Sequence, residues 1–229
     1  MTSDPASYLV AHRGDQESAC ENTLAAFEAA AKAGARYIEC DIQFTRDMVP
    51  VVCHDNRIDS EKISELVLTD LPGYIPTFEA LLAWLSKAPH ITLFLEIKPP
   101  ILKRRSAGAA AKFLHAMIPG SLQQQIIPIS MSARLVEACS LSFHTPVGWV
   151  MEGGRTPNVT LGWLFFPWQQ LQQIRNWPDR KVRTAAYTVN DALQAAALHA
   201  NGVDLIETNH FSRLIAELSY SAASTNKKP

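Results

Sequence analysis

Residues 37–44 read Tyr37-Ile38-Glu39-Cys40-Asp41-Ile42-Gln43-Phe44, an apolar run that carries two carboxylates two positions apart. In an extended chain, residues i and i+2 share a face, so Glu39 and Asp41 point one way and Cys40 the other. Upstream lies a helical stretch over 23–33, with Leu24, Phe27 and Ala31 on one face, Asn22 as its expected N-cap and Gly34 as its stop. Before that stands a short apolar run, 8–13. Downstream, after only Arg46-Asp47 and Met48, a second extended piece covers 49–54. So short a link predicts a hairpin or a bent strand, not a crossover.

The same alternation continues to the end of the chain. Thr77 caps a helix through Leu85. The run 91–98 is almost continuously apolar until Glu96 and Lys98, as suits a parallel strand covered on both faces. Helices are expected at 106–117, 133–140, 191–200 and 211–218, and strands at 125–129, 146–151, 159–165, 181–189 and 203–208. Trp168, Leu171, Ile174 and Trp177 recur at helical spacing. Alternating strands and helices imply a parallel sheet. Eight strands in a chain of 229 residues predict a compact (β/α)8 TIM barrel of class α/β. One crossover helix is missing or stunted, because 152–158 is too short to hold it. A doubly wound open sheet is the alternative, but no dinucleotide-type glycine fingerprint follows the first strand. The expectation is one barrel domain over 1–229 with a polar tail that frays from about 219.

Composition narrows the function classes. The chain is 47% hydrophobic and 19% charged, which excludes a disordered chain, collagen and a coiled coil. Twenty-one basic residues against 22 acidic ones give a net charge of −1, so no overall basic field holds a nucleic acid or an anionic membrane. No apolar run reaches transmembrane length, and residues 1–7 are polar without a signal-peptide core, so the expected location is cytoplasmic. Cys20, Cys40, Cys53 and Cys139 contain no metal-binding Cys-x-x-Cys pair and read as free thiols.

The polar residues sit where apolar strands end. The first strand ends in His12-Arg13-Gly14, the second carries Glu39 and Asp41, its neighbour ends in His54-Asp55, and the third ends in Glu96-Ile97-Lys98. In a parallel barrel all strand C-termini open on one face, where active sites lie. Three carboxylates gathered there repel one another unless a cation sits between them. Oxygen-only ligands suit a hard ion, Mg2+ or Ca2+. Arg13 and Lys98 are donors suited to phosphate, and two histidines supply a general acid and a general base near neutral pH. For any one of these residues the alternative is a buried ion pair, Glu39 with Lys98 for example. The whole set reads as metal-assisted phosphoryl chemistry.

Ala11-His12-Arg13-Gly14, Glu21-Asn22-Thr23, Ile38-Glu39-Cys40-Asp41, Thr45-Arg46-Asp47, Val51-Val52-Cys53-His54-Asp55, Leu95-Glu96-Ile97-Lys98 and Tyr187-Thr188-Val189-Asn190 occur in that order. The series resembles the glycerophosphodiester phosphodiesterases over nearly the whole chain. The resemblance implies a divalent metal held by Glu39, Asp41 and Glu96, an acid/base pair of His12 and His54, and phosphate contacts from Arg13 and Lys98. Glu21 and Asn22 would buttress the mouth. Tyr187 stands where the family usually has tryptophan and Asn209 where it usually has aspartate. The stretch 56–76 is shorter than is common in the family, which implies a less covered site.

The implied activity is metal-dependent hydrolysis of a small-molecule glycerophosphodiester to sn-glycerol 3-phosphate and an alcohol. A lysophospholipase D or sphingomyelinase D-like activity on lipids is the nearest alternative. A catalytically silent binding barrel is disfavoured by the intact histidines and carboxylates.

Overall fold

A computed structural model describes residues 4–177, 179 and 181–225, the stretch 222–225 by its backbone alone. In chain order the elements are β1 (Leu9–His12), α1 (Leu24–Lys32), β2 (Tyr37–Phe44), β3 (Pro50–Val52), the short arms β4 (Arg57–Ile58) and β5 (Glu61–Lys62), α2 (Phe78–Leu85), β6 (Thr92–Ile97), α3 (Ala107–Met117), β7 (Ile126–Ser130), α4 (Ala133–Ser140), β8 (Gly148–Val150), β9 (Trp163–Pro167), α5 (Leu171–Ile174), β10 (Arg183–Tyr187), α6 (Ala192–Ala200), β11 (Leu205–Thr208) and α7 (Phe211–Thr225).

Eight of these strands form a closed parallel barrel in the order β1, β2, β6, β7, β8, β9, β10, β11, with β1 paired to both β2 and β11. β3 folds back antiparallel on β2, with Ile42 opposite Val52, as the short Arg46-Asp47 link requires. Strand parity divides the core in two. Val10, Phe94, Ile129, Trp163, Phe165 and Leu205 are among the side chains that fill the barrel interior. Leu9, Ile38, Cys40, Leu93 and Leu95, of the opposite strand parity, face outward under the helices. Each large apolar side chain so buried contributes roughly 1.5–3 kcal/mol. The interior plug is apolar up to the level of Leu205, and the polar layer lies above it, at the strands' C-terminal ends.

The missing crossover helix falls where expected: β8 connects to β9 through 151–162 without one. The sixth barrel strand starts at Trp163, later than the expected 159, because Gly162 packs against Pro146 so closely that a Cβ there would overlap the proline ring. Asn22 is not the cap of α1. Thr23 is, its Oγ1 accepting from Ala26 N at 3.2 Å. The helical spacing of Trp168 to Trp177 produces only a 3-10 turn at Trp168–Gln170 and the single turn of α5. The last helix does not end at Leu218 but continues to Thr225, since Tyr220 to Ala223 contain no glycine or proline to stop it. The stretch 56–76 holds the β4–β5 hairpin and two 3-10 turns, the first of which buries Ile63. No helix among the described residues is long and apolar enough to cross a membrane.

Candidate active site

The turn after β1 is built from strained backbone. Arg13 and Asn22 both lie in the left-handed region, at φ 60° and 57°, which costs a residue with a side chain roughly 1–3 kcal/mol. Between them Gly14 is obligatory: its φ is 90°, and a Cβ would stand 2.6 Å from Ala26 Cβ on α1. The strained conformation at Arg13 aims its backbone N–H at Glu39, to O at 3.0 Å and Oε2 at 3.2 Å. Its guanidinium reaches Asp41 Oδ2 at 3.2 Å through Nε and both Glu21 oxygens at 3.1 Å through Nη1. Asn22 grips Asp41 twice. Its Nδ2 donates to Asp41 Oδ2 at 2.8 Å, and its Oδ1 accepts from Asp41 N at 3.2 Å. Glu21 and Asn22 therefore sit where a buttress is needed.

β2 and β6 run side by side with Asp41 opposite Glu96. Glu39, Asp41 and Glu96 are all buried, and one oxygen from each lies within 4.8 Å of the other two. Lys98 Nζ bridges two of them, 2.7 Å from Asp41 Oδ1 and 3.1 Å from Glu96 Oε1. Its partners are thus Asp41 and Glu96, not Glu39. Glu39 Oε1 is buried with no hydrogen-bond donor. Such a carboxylate oxygen costs free energy until a proton or a cation meets it.

His12, at the end of β1, places Nδ1 2.7 Å from Asn209 Oδ1 and Nε2 3.8 Å from Glu39 Oε2. His54 follows β3 and is half-buried. Its Nδ1 is 2.9 Å from Asp55 Oδ1, and its carbonyl accepts from Gln43 Nε2 at 3.0 Å. Both histidines open on one cavity of about 180 Å³, together with Arg13, Glu39, Glu96 and Lys98. The nine residues singled out from sequence thus form one contiguous cluster. A larger depression of about 420 Å³, bordered by Arg183 and Asp204, lies at the strands' N-terminal ends, away from this chemistry.

The electrostatics follow from burial and charge. Burial, and then Asp41, Glu207 and Glu96, push the Glu39 carboxyl well above its ordinary range. Burial also raises Glu96, to about 7, although Lys98 opposes it. Asp41 is different: burial works against its charge, but Lys98 and Arg13 hold it below its ordinary value. Burial, then the Arg13 cation, bring His12 down to about 4, so this imidazole is neutral at pH 7.

Several residues at the cavity were not singled out from sequence as site residues. Glu207 on β11 is 3% exposed, lines the same cavity and is raised to about 8, by burial first and then by Glu96. The signal was available: Glu207 shares strand parity with Leu205 and is the lone acid of its strand. Tyr187, Thr188 and Glu152 line the cavity as well. Asn209 and Asn190 act behind it, Asn190 Oδ1 accepting from Asn209 N at 3.0 Å. Of the aromatic run after Gly162, Trp163 and Phe165 pack inside the barrel, and Phe165 reaches the cavity wall.

The fold and the cluster define a barrel protein with an acidic mouth braced by two cations and flanked by two histidines. The glycerophosphoryl diester phosphodiesterase family matches residues 12–107. A putative glycerophosphodiester phosphodiesterase of Bacillus subtilis (strain 168) is 38% identical over 110 residues, 40% of this chain and 44% of its own. Glycerophosphodiester phosphodiesterase 1 of Rattus norvegicus is 58% identical over 50 residues, 22% of this chain and 15% of its own. The chain thus spans less than half the length of these curated relatives. A crystal structure of a glycerophosphodiester phosphodiesterase from Parabacteroides distasonis shares the fold with TM-score 0.80 at 24% identity, over 94% of this chain and 98% of that one. An Oleispira antarctica phosphodiesterase, solved in complex with the product sn-glycerol-3-phosphate, shares it with TM-score 0.76 at 18% identity, over 93% and 96%. Residues 12–107 are thus similar to the glycerophosphoryl diester phosphodiesterase family, and the barrel as a whole shares the fold of these solved structures.

Proposed function

We propose that the protein hydrolyses glycerophosphodiesters to sn-glycerol 3-phosphate and an alcohol, with a divalent cation. The observation that carries this reading is the opening of two histidines, the acidic cluster and two cations on one small cavity. The Oleispira neighbour's product supports the substrate class by analogy.

Glu39, Asp41 and Glu96 would hold the ion. The donor set fits: all three ligands are carboxylate oxygens, as a hard cation such as Mg2+ or Ca2+ requires, and Glu39 Oε1 lacks any other partner. A bound divalent ion supplies positive charge against which a phosphoryl oxygen is polarised. The chain's own residues do the rest. Arg13 and Lys98 orient the phosphate through N–H groups not spent on the carboxylates. His12 is neutral, and Asn209 takes the proton on its Nδ1, so Nε2 is free to remove a proton from the nucleophile. His54 in its doubly protonated form donates Nδ1–H to Asp55 Oδ1 and gives its Nε2 proton to the leaving alkoxide. The nucleophile is water or the substrate's own glycerol hydroxyl.

We take residues 1–229 as one barrel unit, with a small-molecule substrate and no nucleic-acid partner. The four cysteines are free, which fits a reducing compartment such as the cytoplasm. One observation favours a second reading, a lysophospholipase D or sphingomyelinase D-like activity. A depression of about 700 Å³ lined by Leu24, Tyr74, Ile75 and Ala80 joins, through Cys20 and Tyr74, a second one that reaches His54. A single acyl chain could lie along that route. Release of glycerol 3-phosphate from glycerophosphocholine with Mg2+ or Ca2+, run beside choline release from lysophosphatidylcholine, separates the two. Turnover of neither would sink both.

A further inference from the structure

Glu207 is not one of the three clustered carboxylates, yet it occupies the floor of the same cavity. In the barrel it stands opposite Val10 on β1, one layer below His12. Tyr187 stands beside it on β10, its hydroxyl raised by burial first and then by the charges of Glu152 and Glu207. Beneath and around it the interior is Val10, Phe94, Trp163, Phe165, Ala185 and Leu205; the one donor among these side chains, the Trp163 indole N–H, makes no hydrogen bond to Glu207. Glu207 Oε1 is buried with no partner. The nearby cations make no hydrogen bond or ion pair with Glu207: Arg13 pairs with Glu21 and Asp41, and Lys98 with Asp41 and Glu96. A carboxyl group left unpaired among apolar side chains is destabilising, because burial strips away its hydration. Barrel interiors are ordinarily filled with branched apolar residues at this depth. A hydrogen-bonding group that enters the cavity supplies the missing partner.

The cavity limits what that is. Its volume is about 180 Å³. That suits a three-carbon polyol with a phosphate at its mouth, and no large head group. Ile129, Val150 and Phe165 supply apolar walls for the carbons. Tyr187 is no competitor for the floor, because its hydroxyl donates to Met151 O at 3.1 Å. Glu207 is the polar group left on the floor to face the polyol.

We propose that Glu207 hydrogen-bonds the free hydroxyls of the glycerol moiety and so makes the cavity selective for a polyol phosphate over an alkyl phosphate. This rests on the phosphodiesterase reading above. It assigns the glycerol to the barrel floor and leaves the alcohol to leave outward, past His54. A site that uses a buried polar group to read a hydroxyl rejects the analogue that lacks it, because the group is then left unpaired.

Binding calorimetry on the Mg2+-loaded protein tests this without turnover. The ligands are sn-glycerol 3-phosphate and n-propyl phosphate, which share the phosphate and the three carbons. The wild type should bind glycerol 3-phosphate at least about tenfold tighter. Glu207→Leu should lose that ratio while still binding propyl phosphate, and Glu207→Gln, which can still accept and donate, should keep part of it. Mn2+ titration followed by electron paramagnetic resonance should give the same metal affinity in all three proteins. Equal affinity of the wild type for the two ligands overturns the proposal. So does an unchanged ratio in Glu207→Leu, or a loss of Mn2+ affinity there, which would make Glu207 a metal ligand. If Glu207→Leu fails to fold by circular dichroism, the wild-type ratio and the Glu207→Gln ratio decide. A wild type that keeps the ratio yet hydrolyses no glycerophosphocholine supports the Glu207 assignment and overturns the activity alone.

Discussion

Asn209 Oδ1 lies 2.7 Å from His12 Nδ1, joining the two ends of the chain across 197 residues. The carbonyl oxygen accepts, so Nδ1 carries the proton and Nε2 keeps its lone pair toward the cavity. Asn209→Ala should lower kcat by at least about tenfold with little change in KM, since it frees the imidazole to turn without touching substrate. Asn209→Asp should do something different. A carboxylate there favours the imidazolium, so the acid limb of the kcat/KM profile should move to higher pH. An unmoved limb in Asn209→Asp, together with wild-type kcat in Asn209→Ala, would show that this contact does not position His12.

The two histidines should act as a unit. His12→Ala and His54→Ala are each expected to lower kcat by at least about 10²-fold, the low end for general acid–base catalysis. The double variant should fall little further than the worse single one. A single variant with wild-type kcat across the pH range would exclude that histidine from the reaction.

Much of this arrangement is legible in the sequence because strand parity is a strong constraint. Glu39 and Asp41 flank a buried cysteine within an apolar run, and no exposed strand needs that pattern. Glu207 satisfies the same rule but stands alone on its strand, where one acid looks like a solvated strand end until the barrel closes around it. The role of Asn209 depends on β1 and β11 being neighbours, which is a property of the closed barrel and of no local stretch. Asn22 has the residue type of a helix cap, yet its left-handed backbone turns it away from α1 and onto Asp41. The choice between Asn22 and Thr23 as cap was set by a tertiary partner, beyond the reach of local propensity.

The carboxylates also predict how the metal-free protein responds to pH. Glu96, raised to about 7, and Glu207, raised to about 8, bind protons more tightly folded than unfolded. Their contribution is complete below the ordinary carboxylate range and is lost as pH rises through 7 and 8. His12, lowered to about 4, acts oppositely: its contribution is present above about 6.5 and is lost as pH falls toward 4. In EDTA the melting temperature should therefore fall between pH 6.5 and 9, by about 2–4 °C for each kcal/mol lost. Saturating Mg2+ should flatten that slope, because the ion replaces protons among the carboxylates. A melting temperature that rises with pH in EDTA would contradict the burial of these groups.

A metal requirement should show in activity as well. Chelator should abolish turnover, and Mg2+ or Ca2+ should restore it. Glu39→Gln and Asp41→Asn should each weaken metal binding with the barrel still folded. Asn22→Ala strips two hydrogen bonds from buried Asp41 and should destabilise the fold by about 1–3 kcal/mol, measured by urea unfolding. Full activity in excess chelator would refute the metal assignment.

The alcohol side of the substrate should be read weakly. No residue of the stretch 56–76 lines the cavity that holds the histidines and carboxylates. That stretch is occupied with its own β4–β5 hairpin and with packing Ile63 into the body of the protein. Arg57, Ile58 and Asp59 border only an open depression outside His54. Loops on this face of a barrel set substrate choice, and here the loop builds no wall around the leaving group. Discrimination then comes from the phosphate and the glycerol. Values of kcat/KM for choline, ethanolamine and glycerol head groups should agree within about one order of magnitude, or ~1.4 kcal/mol. A preference of more than roughly a hundredfold for one of them would require a dedicated pocket. The place to seek it would be the exposed Glu152, which borders the cavity and whose charge bears on both Glu96 and Tyr187. A preference confined to the cationic head groups and lost in Glu152→Gln would locate it there.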